Sequence, residues 1–308
     1  MPGTPALHRR HSILKISHYE IIDILRHLPS CFQEFVSAGA FPASPEACTR
    51  AGMKGTTSLK RILAVLEVFS ETHLEWTPDE LLAELGYSRP TLYRYLKYLK
   101  EAGFLISTPG AGFTLGPKVV ELDYLMRKAD PLVLGGTPYL KGLTATYPCT
   151  ALLVRWYGNK ILCVASETST LNPVSSYPRG RPMLLGRGAI PRSIMAFLPR
   201  ARLMPLIAEN LSDLRAVGLG TTPDEIYVRM RQVRRAGFAI AHGEVTPGAI
   251  GIAAPVLGDG RHPIASLCVT IAGHAVTGTE LDAIGERVRS DAMAIGMTIG
   301  RLNNNLIM

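Results

Sequence analysis

Hydrophobic positions along this chain recur with two different periods, and the change from one to the other divides it. Between Ser58 and Phe69, the residues Leu59, Ile62, Leu63, Leu66 and Phe69 fall at three- and four-residue spacings, which predicts a helix with one buried face. Thr77 is placed to cap a second helix, with Pro78 at its first position, Asp79 and Glu80 in its first turn and Gly86 at its end. A third helix follows almost at once: Ser88 can cap it, Pro90 suits its first turn, and Leu92, Leu96 and Leu99 share a face. After Gly103, the runs Phe104-Leu105-Ile106 and Phe113-Thr114-Leu115 flank Pro109-Gly110 and Gly112, which predicts a two-stranded hairpin. Helix, tight turn, helix and hairpin in this order predict a winged helix-turn-helix over residues 56–116.

Residues 117–131 are expected to form a linking helix. Gly116-Pro117 closes the hairpin, Val119, Leu122, Leu125 and Met126 resume helical spacing, and Pro131 ends the run. Its apolar face suits either a contact between two copies or packing on its own chain. From Leu132 the pattern becomes α/β. A helix is predicted from Leu134 to Thr146, strands at 150–157 and 160–165 around Gly158-Asn159, and helices from Pro191 to Phe197 and from Pro223 to Ala236. Strands at 249–256 and 264–271 bracket Gly258-Asp259-Gly260, and a long helix runs from Thr279 to Arg301. Residues 132–308 therefore read as an antiparallel sheet covered by helices, a shape suited to a small-molecule pocket, and the whole as a two-domain α+β protein.

Residues 1–55 read as an appendage of undefined role. They hold an amphipathic helix candidate, His18 to Leu28, and then a Pro-, Ala- and Gly-rich tract from Gly39 to Gly55 that resembles a linker, with Met53 an alternative translation start.

The third helix carries the most specific chemistry. Opposite its leucines it presents Arg89, Thr91, Tyr93, Arg94, Lys97, Tyr98 and Lys100, cations and hydroxyls that suit phosphates and base edges in a major groove. Ser88, Arg89, Thr91, Tyr93, Arg94 and Lys97 are the candidate contacts to double-stranded DNA, and Lys60 and Arg61 of the first helix are further candidates for its backbone. Charge agrees: 33 Lys and Arg against 25 Asp and Glu give +8 over 308 residues, which favours a polyanionic partner. The five cysteines form no Cys-x-x-Cys pair and are odd in number, so neither a zinc site nor a disulfide framework is expected and a cytoplasmic setting fits. No apolar run reaches the length of a membrane span, and the first residues lack the order of a secretion signal.

Over residues 57–304 the chain resembles the IclR family of bacterial transcription regulators. The resemblance is carried by the head, by Gly180-Arg-Pro-Met-Leu-Leu-Gly-Arg-Gly-Ala-Ile-Pro-Arg-Ser-Ile-Met-Ala-Phe-Leu-Pro199, by Arg235-Ala-Gly-Phe-Ala-Ile-Ala-His-Gly-Glu244 and by Ala249-Ile-Gly-Ile-Ala-Ala-Pro-Val256. It implies a GAF-like effector domain, a homodimer or dimer of dimers, a palindromic operator, repression or activation that can involve RNA polymerase, and no cofactor. It also implies control by a small organic acid, which the apolar lining allows to be aromatic. Carried over residue by residue, the effector pocket should be lined by Ala189, Ile190, His242, Pro255, Cys268 and Thr270, with Arg187 adding a charge-assisted contact. Backbone N–H groups of Ala189 and Ile190 near a helix start can receive a carboxylate, and Cys268 and Thr270 alternate onto one strand face. The chain departs from the family where Pro191-Arg192 replaces Gly-Lys, and where Ala241-His242 replaces an acidic pair and brings in a titratable imidazole.

Other chemistry finds less support. His242, Glu244 and His262 lack further ligands at a metal-binding spacing, no Gly-x-Ser-x-Gly elbow is present, and Gly180 to Gly188 lacks a nucleotide-binding ending. The alternatives to a regulator are a thiol redox enzyme using Cys163 and Cys268, and a scaffold whose winged head binds protein instead of DNA.

Overall fold

The computed structural model describes residues 58–158, 160–169, 177–258 and 261–305, without the side chains of 301–305. The helix expected at His18 to Leu28 lies outside the described residues.

The head opens with α1 (Ser58–Glu67), α2 (Pro78–Leu85) and α3 (Arg89–Glu101), followed by β1 (Leu105–Ser107) and β2 (Phe113–Leu115). α2 begins where the sequence places a cap: the Thr77 hydroxyl accepts from the Glu80 backbone N–H, and the Glu80 carboxylate accepts from the Thr77 N–H at 2.7 Å. It ends at Gly86, whose φ of +64° is a left-handed conformation. Val65, Leu81, Leu92, Tyr95, Leu96, Leu99 and Leu105 form one buried cluster, closed by Trp76, which exchanges backbone hydrogen bonds of 3.0 and 2.8 Å with Phe113. Close approach fixes the end of the hairpin, because a Cβ on Gly116 would sit 2.3 Å from the Gly103 carbonyl oxygen.

α4 (Pro117–Ala129) leads into α5 (Pro131–Thr146), where Pro131 opens the second helix. A six-stranded antiparallel sheet follows, in the order β5-β4-β3-β8-β7-β6, from β3 (Cys149–Trp156), β4 (Ile161–Thr168), β5 (Pro182–Met183), β6 (Ala239–His242), β7 (Ala249–Leu257) and β8 (Pro263–Ala272). Between β5 and β6 run α6 (Ala189–Met195), α7 (Arg200–Glu209), α8 (Leu211–Ala216) and α9 (Pro223–Ala236), and α10 (Gly278–Asn305) ends the described chain.

Helices cover both faces of this sheet, so β7 and β8 are buried on both sides and read as near-continuous apolar runs. On one face, Ile250, Ile252, Leu267, Val269 and Ile271 pack against Leu132, Leu140 and Leu143 of α5 and against Ile284, Val288 and Ile295 of α10. On the other face, Leu152, Val154, Cys163, Ala253 and Cys268 meet Ala189, Ile190 and Ile194 of α6. The helices α7 to α9 add a satellite core around Leu203, Ile207, Ile226 and Met230. Two short strands escape sequence reading. β5 is only two residues long, and β6 follows Gly237 too closely to show a period of its own.

Two glycines in the helical layer make opposite predictions. A Cβ on Gly296 would stand 2.5 Å from the Leu257 carbonyl oxygen, whereas one on Gly135 would meet Thr298 at 3.4 Å, an ordinary contact. Thermal or urea unfolding should show Gly296→Ala destabilised by roughly 1–3 kcal/mol. Gly135→Ala should be neutral or gain up to about 1 kcal/mol.

Candidate nucleic-acid interface and ligand cavity

α3 is amphipathic for a simple reason: Leu92, Tyr95, Leu96 and Leu99 are buried, which leaves Ser88, Arg89, Tyr93, Arg94, Lys97, Tyr98 and Lys100 in solvent. Thr91 is half-buried, and its hydroxyl accepts from Ser88 Oγ at 2.9 Å, so the Ser88 side chain bonds its neighbour and not the helix backbone. Two of the outward cations have partners on the head itself. Arg89 donates to Asp79 of α2 at 2.9 Å, and Lys97 lies 3.8 Å from Glu101; both are exposed pairs of small worth that can be exchanged for phosphates. Arg94 rests 5.6 Å over the Tyr95 ring, which steadies its stem at the centre of the exposed face. In α1, Lys60 is exposed, but Arg61 packs 5.1 Å over the Tyr87 ring and is used inside the head.

A cavity of about 250 Å³ lies between the small-residue face of the sheet and the start of α6. Its floor follows from strand register. Thr270 pairs with Gly251, Gly251 with Ala241, and Cys268 with both Leu152 and Ala253, so Thr270, Ala241, Cys268 and Leu152 present side chains to one face, where Gly251 leaves a gap. Ala189, Ile190, Pro191, Gly188 and Arg187 form the opposite wall, with Tyr177, Met183, Val245 and Thr246 at the sides.

Of the residues expected to line a pocket, Arg187, Ala189, Ile190, Cys268 and Thr270 come together here. His242 and Pro255 do not. His242 pairs with Ile250, which belongs to the core under α5 and α10, so strand alternation takes the imidazole away from the cavity and Ala241 stands in its place. Pro255 is on the cavity face, but four residues beyond Gly251 along β7, roughly 13 Å at strand rise, and lines a different hollow. Sequence reading missed Tyr177 and Glu244. A carboxylate three residues after Ala241 gave no periodic signal, because it lies in the loop between β6 and β7.

Glu244 is the electrostatic anchor of the site. Its carboxylate pairs with Arg192, whose side chain is only 8% exposed, and accepts the Gly188 N–H at 3.0 Å; Arg192 also donates to the Ile240 carbonyl at 3.2 Å. The pair ties the loop after β6 to α6. Ser193 reinforces it from behind, donating to the Ile190 carbonyl at 2.7 Å and lying 2.8 Å from Ser266 of β8, both buried. Arg187, by contrast, is largely exposed and bonded to Asp213 at 2.9 Å. Burial raises the Tyr177 phenol, which therefore stays neutral, and Arg181 opposes that shift from 5.3 Å over its ring.

The thiols are poorly suited to redox work. Burial pushes Cys149 and Cys163 up to about 11 and Cys268 up to about 12, so the reactive thiolate is scarce at neutral pH. Among the described residues no group of three or more His, Cys, Asp or Glu side chains is arranged to hold a metal.

Comparison with known proteins agrees with this architecture. Residues 58–109 match the family described as the IclR helix-turn-helix domain, and residues 135–297 that described as the bacterial transcriptional regulator IclR C-terminal. The chain is similar to a probable HTH-type transcriptional regulator ArcR of Halobacterium salinarum, 27% identical over 73% of this chain and 87% of that one. In fold it is similar to an IclR transcriptional regulator from Alicyclobacillus acidocaldarius, with a TM-score of 0.67 and 22% identity over 79% of this chain and 98% of the other. It is also similar to an IclR homolog from Microbacterium hydrocarbonoxydans, described as complexed with 4-hydroxybenzoate, with a TM-score of 0.65 and 19% identity over 79% and 99% of the two chains.

The ion pairs at the cavity should differ sharply in worth. Glu244→Ala leaves the buried Arg192 guanidinium uncompensated and should lower unfolding free energy by about 3–5 kcal/mol. Arg187→Ala removes a pair open to solvent and should cost about 0–1 kcal/mol in the same denaturation experiment.

Proposed function

The chain belongs to the IclR family of DNA-binding transcription regulators, which act by binding and not by catalysis, and from that premise we propose that it reads a palindromic operator through α3 while its cavity takes a small organic acid. The observation that carries this reading is the division of labour on α3: leucines and one tyrosine locked inside the head, cations and two tyrosines held outward on the same rigid helix. In the major groove, Arg89 and Lys97 serve phosphates, and Arg94 is placed to reach a base edge.

A two-fold operator calls for two heads, and α4 supplies a surface for joining them. Val120, Tyr124 and Leu125 are each more than half exposed, as are Leu59 and Leu63 of α1. So large an apolar stripe on a short helix favours pairing of two copies into a homodimer, with a dimer of dimers and contact to RNA polymerase as further levels of assembly. An operator-reading chain works in the cytoplasm, and none of the helices in the described residues is long and apolar enough to cross a membrane.

For the effector, the cavity argues for a molecule below drug size. Leu152, Ile190, Met183 and Val245 suit a flat ring or short chain, while Thr246, Thr270, Tyr177 and Arg187 offer hydroxyls and a cation to a carboxylate. The Microbacterium homolog with 4-hydroxybenzoate shares the fold, and the ligand class proposed for this chain rests on its own lining. The cavity also touches the head through an ordered chain of contacts: Tyr177 lines it, Arg181 stacks on Tyr177, and Arg181 Nε lies 3.0 Å from Glu71 beside α1. Arg179, two residues on from Tyr177, binds Asp123 of α4 at 2.6 Å. A ligand that moves Tyr177 therefore bears on both the head and the linking helix.

Gel shift across a salt series with genomic fragments tests the DNA reading. Arg94→Ala should cost roughly 1–3 kcal/mol and relax preference at one base position, whereas Lys97→Ala should weaken all sequences alike. Indifference of the wild type to every duplex at low ionic strength would end this reading.

Thermal shift against a panel of aromatic and aliphatic monocarboxylic acids tests the effector. A ligand at about 100 times its dissociation constant should stabilise the fold by about 2.7 kcal/mol. Gly251→Val, a β-compatible change that fills the floor, should remove the shift, and a shift that survives it places the ligand elsewhere.

A further inference from the structure

A second hollow, of about 580 Å³, opens at the opposite end of β6 and β7 from the effector cavity. It is bounded by the end of α9, the segment after α6, the end of β7 and the outer half of α10. Its chemistry is unlike that of the first. Arg234 and Arg235 near the end of α9 and Arg289 of α10 are all among its lining residues, so the hollow carries three arginines. Arg289 lies directly over Gly237, where a Cβ would fall 2.4 Å from its Cδ, and the φ of +82° there also calls for glycine. Arg234 stands 5.5 Å over the Phe197 ring. Glu286, one helical turn from Arg289 on the solvent side, pairs with it at 2.5 Å.

The rest of the hollow is apolar. Met293 and Met297 of α10 are 58% and 57% exposed, although they sit beside a helix face that is otherwise packed down on the sheet. Methionine is unbranched and polarizable, and it moulds to flat or linear apolar groups. A molecule with an anionic end and an apolar body suits both parts of this lining, because the exposed Arg289–Glu286 pair is of small worth and can be exchanged for a ligand carboxylate while the body covers the open methionines.

We propose that this hollow is a second ligand site that takes a small amphipathic carboxylate, its anionic end among Arg234, Arg235 and Arg289 and its ring or acyl chain against Phe197, Met293 and Met297. The site is distinct from the effector cavity but shares its strands: Gly237 stands two residues before Ala239 of β6, and Pro255 four residues after Gly251 on β7.

Isothermal titration of the full chain with octanoate, and with octanamide and octyltrimethylammonium as neutral and cationic controls of equal tail length, tests the site. Octanoate should bind at least about tenfold more tightly than either control, and Arg234→Ala/Arg289→Ala should weaken it about tenfold. Met297→Trp, which fills the hollow from an exposed position, should also weaken it, and decides the matter should the double variant fail to fold. Gly251→Val, which closes the effector cavity, should leave octanoate binding in place, so this site and the effector reading stand or fall separately. Absence of octanoate binding, equal binding of the three probes, unchanged affinity in Met297→Trp, or loss of octanoate in Gly251→Val alone would overturn the proposal.

Discussion

Everything in the C-terminal part depends on a difference in side-chain size between the two faces of one sheet. Toward α5 and α10 the strands β7 and β8 present Ile250, Ile252, Leu267, Val269 and Ile271, which fill the space under two long helices. Toward α6 the corresponding positions are Gly251, Ala253 and Cys268, with Ala239 and Ala241 beside them on β6. Large residues on one side give close packing, and small ones on the other leave room. The cavity is the space those small side chains do not fill, and burial on both faces prevents the sheet from shifting register to close it, since a slip of one residue would put isoleucines into the cavity.

The head obeys the same rule on a smaller scale. Its core is a single cluster around Leu81, Leu92, Leu96 and Leu105, and the outward direction of Arg94 and Lys97 is simply what remains once the leucines are buried. Local devices sharpen the geometry. The reciprocal hydrogen bonds of Thr77 and Glu80 fix the start of α2, the left-handed Gly86 lets α3 begin three residues later, and Trp76 pins the hairpin to the segment before α2. Related devices start two later helices: before α9 the Thr222 hydroxyl accepts the Glu225 N–H while the Glu225 carboxylate accepts from the N–H and hydroxyl of Thr221, and before α10 the Glu280 carboxylate accepts from the N–H and hydroxyl of Thr277; in each case the hydrogen bonds hold the carboxyl below its ordinary range.

Polar contacts are concentrated where elements from distant parts of the sequence must be held together. Arg192 and Glu244 join α6 to the loop after β6, Ser193 and Ser266 join α6 to β8, and Arg179 and Arg181 join the segment before β5 to α4 and the head. The first two are buried and fix the cavity wall; the last two are partly exposed.

The winged head, the outward face of α3, the helix starts at Thr77 and Pro223 and the long strands β7 and β8 were legible in the sequence, because each is written in a local period or a capping residue. Five of the cavity positions, Arg187, Ala189, Ile190, Cys268 and Thr270, came instead from the family resemblance, and the fold brings them to one cavity. What the sequence left open were matters of parity and pairing across long separations. Whether Ala241 or His242 faces the cavity depends on the register of a four-residue strand against β7, and Glu244 acquires its role only when folding brings it to Arg192, 52 residues away. Local spacing decides which residues can share a face, but only the assembled sheet decides which face encloses a cavity.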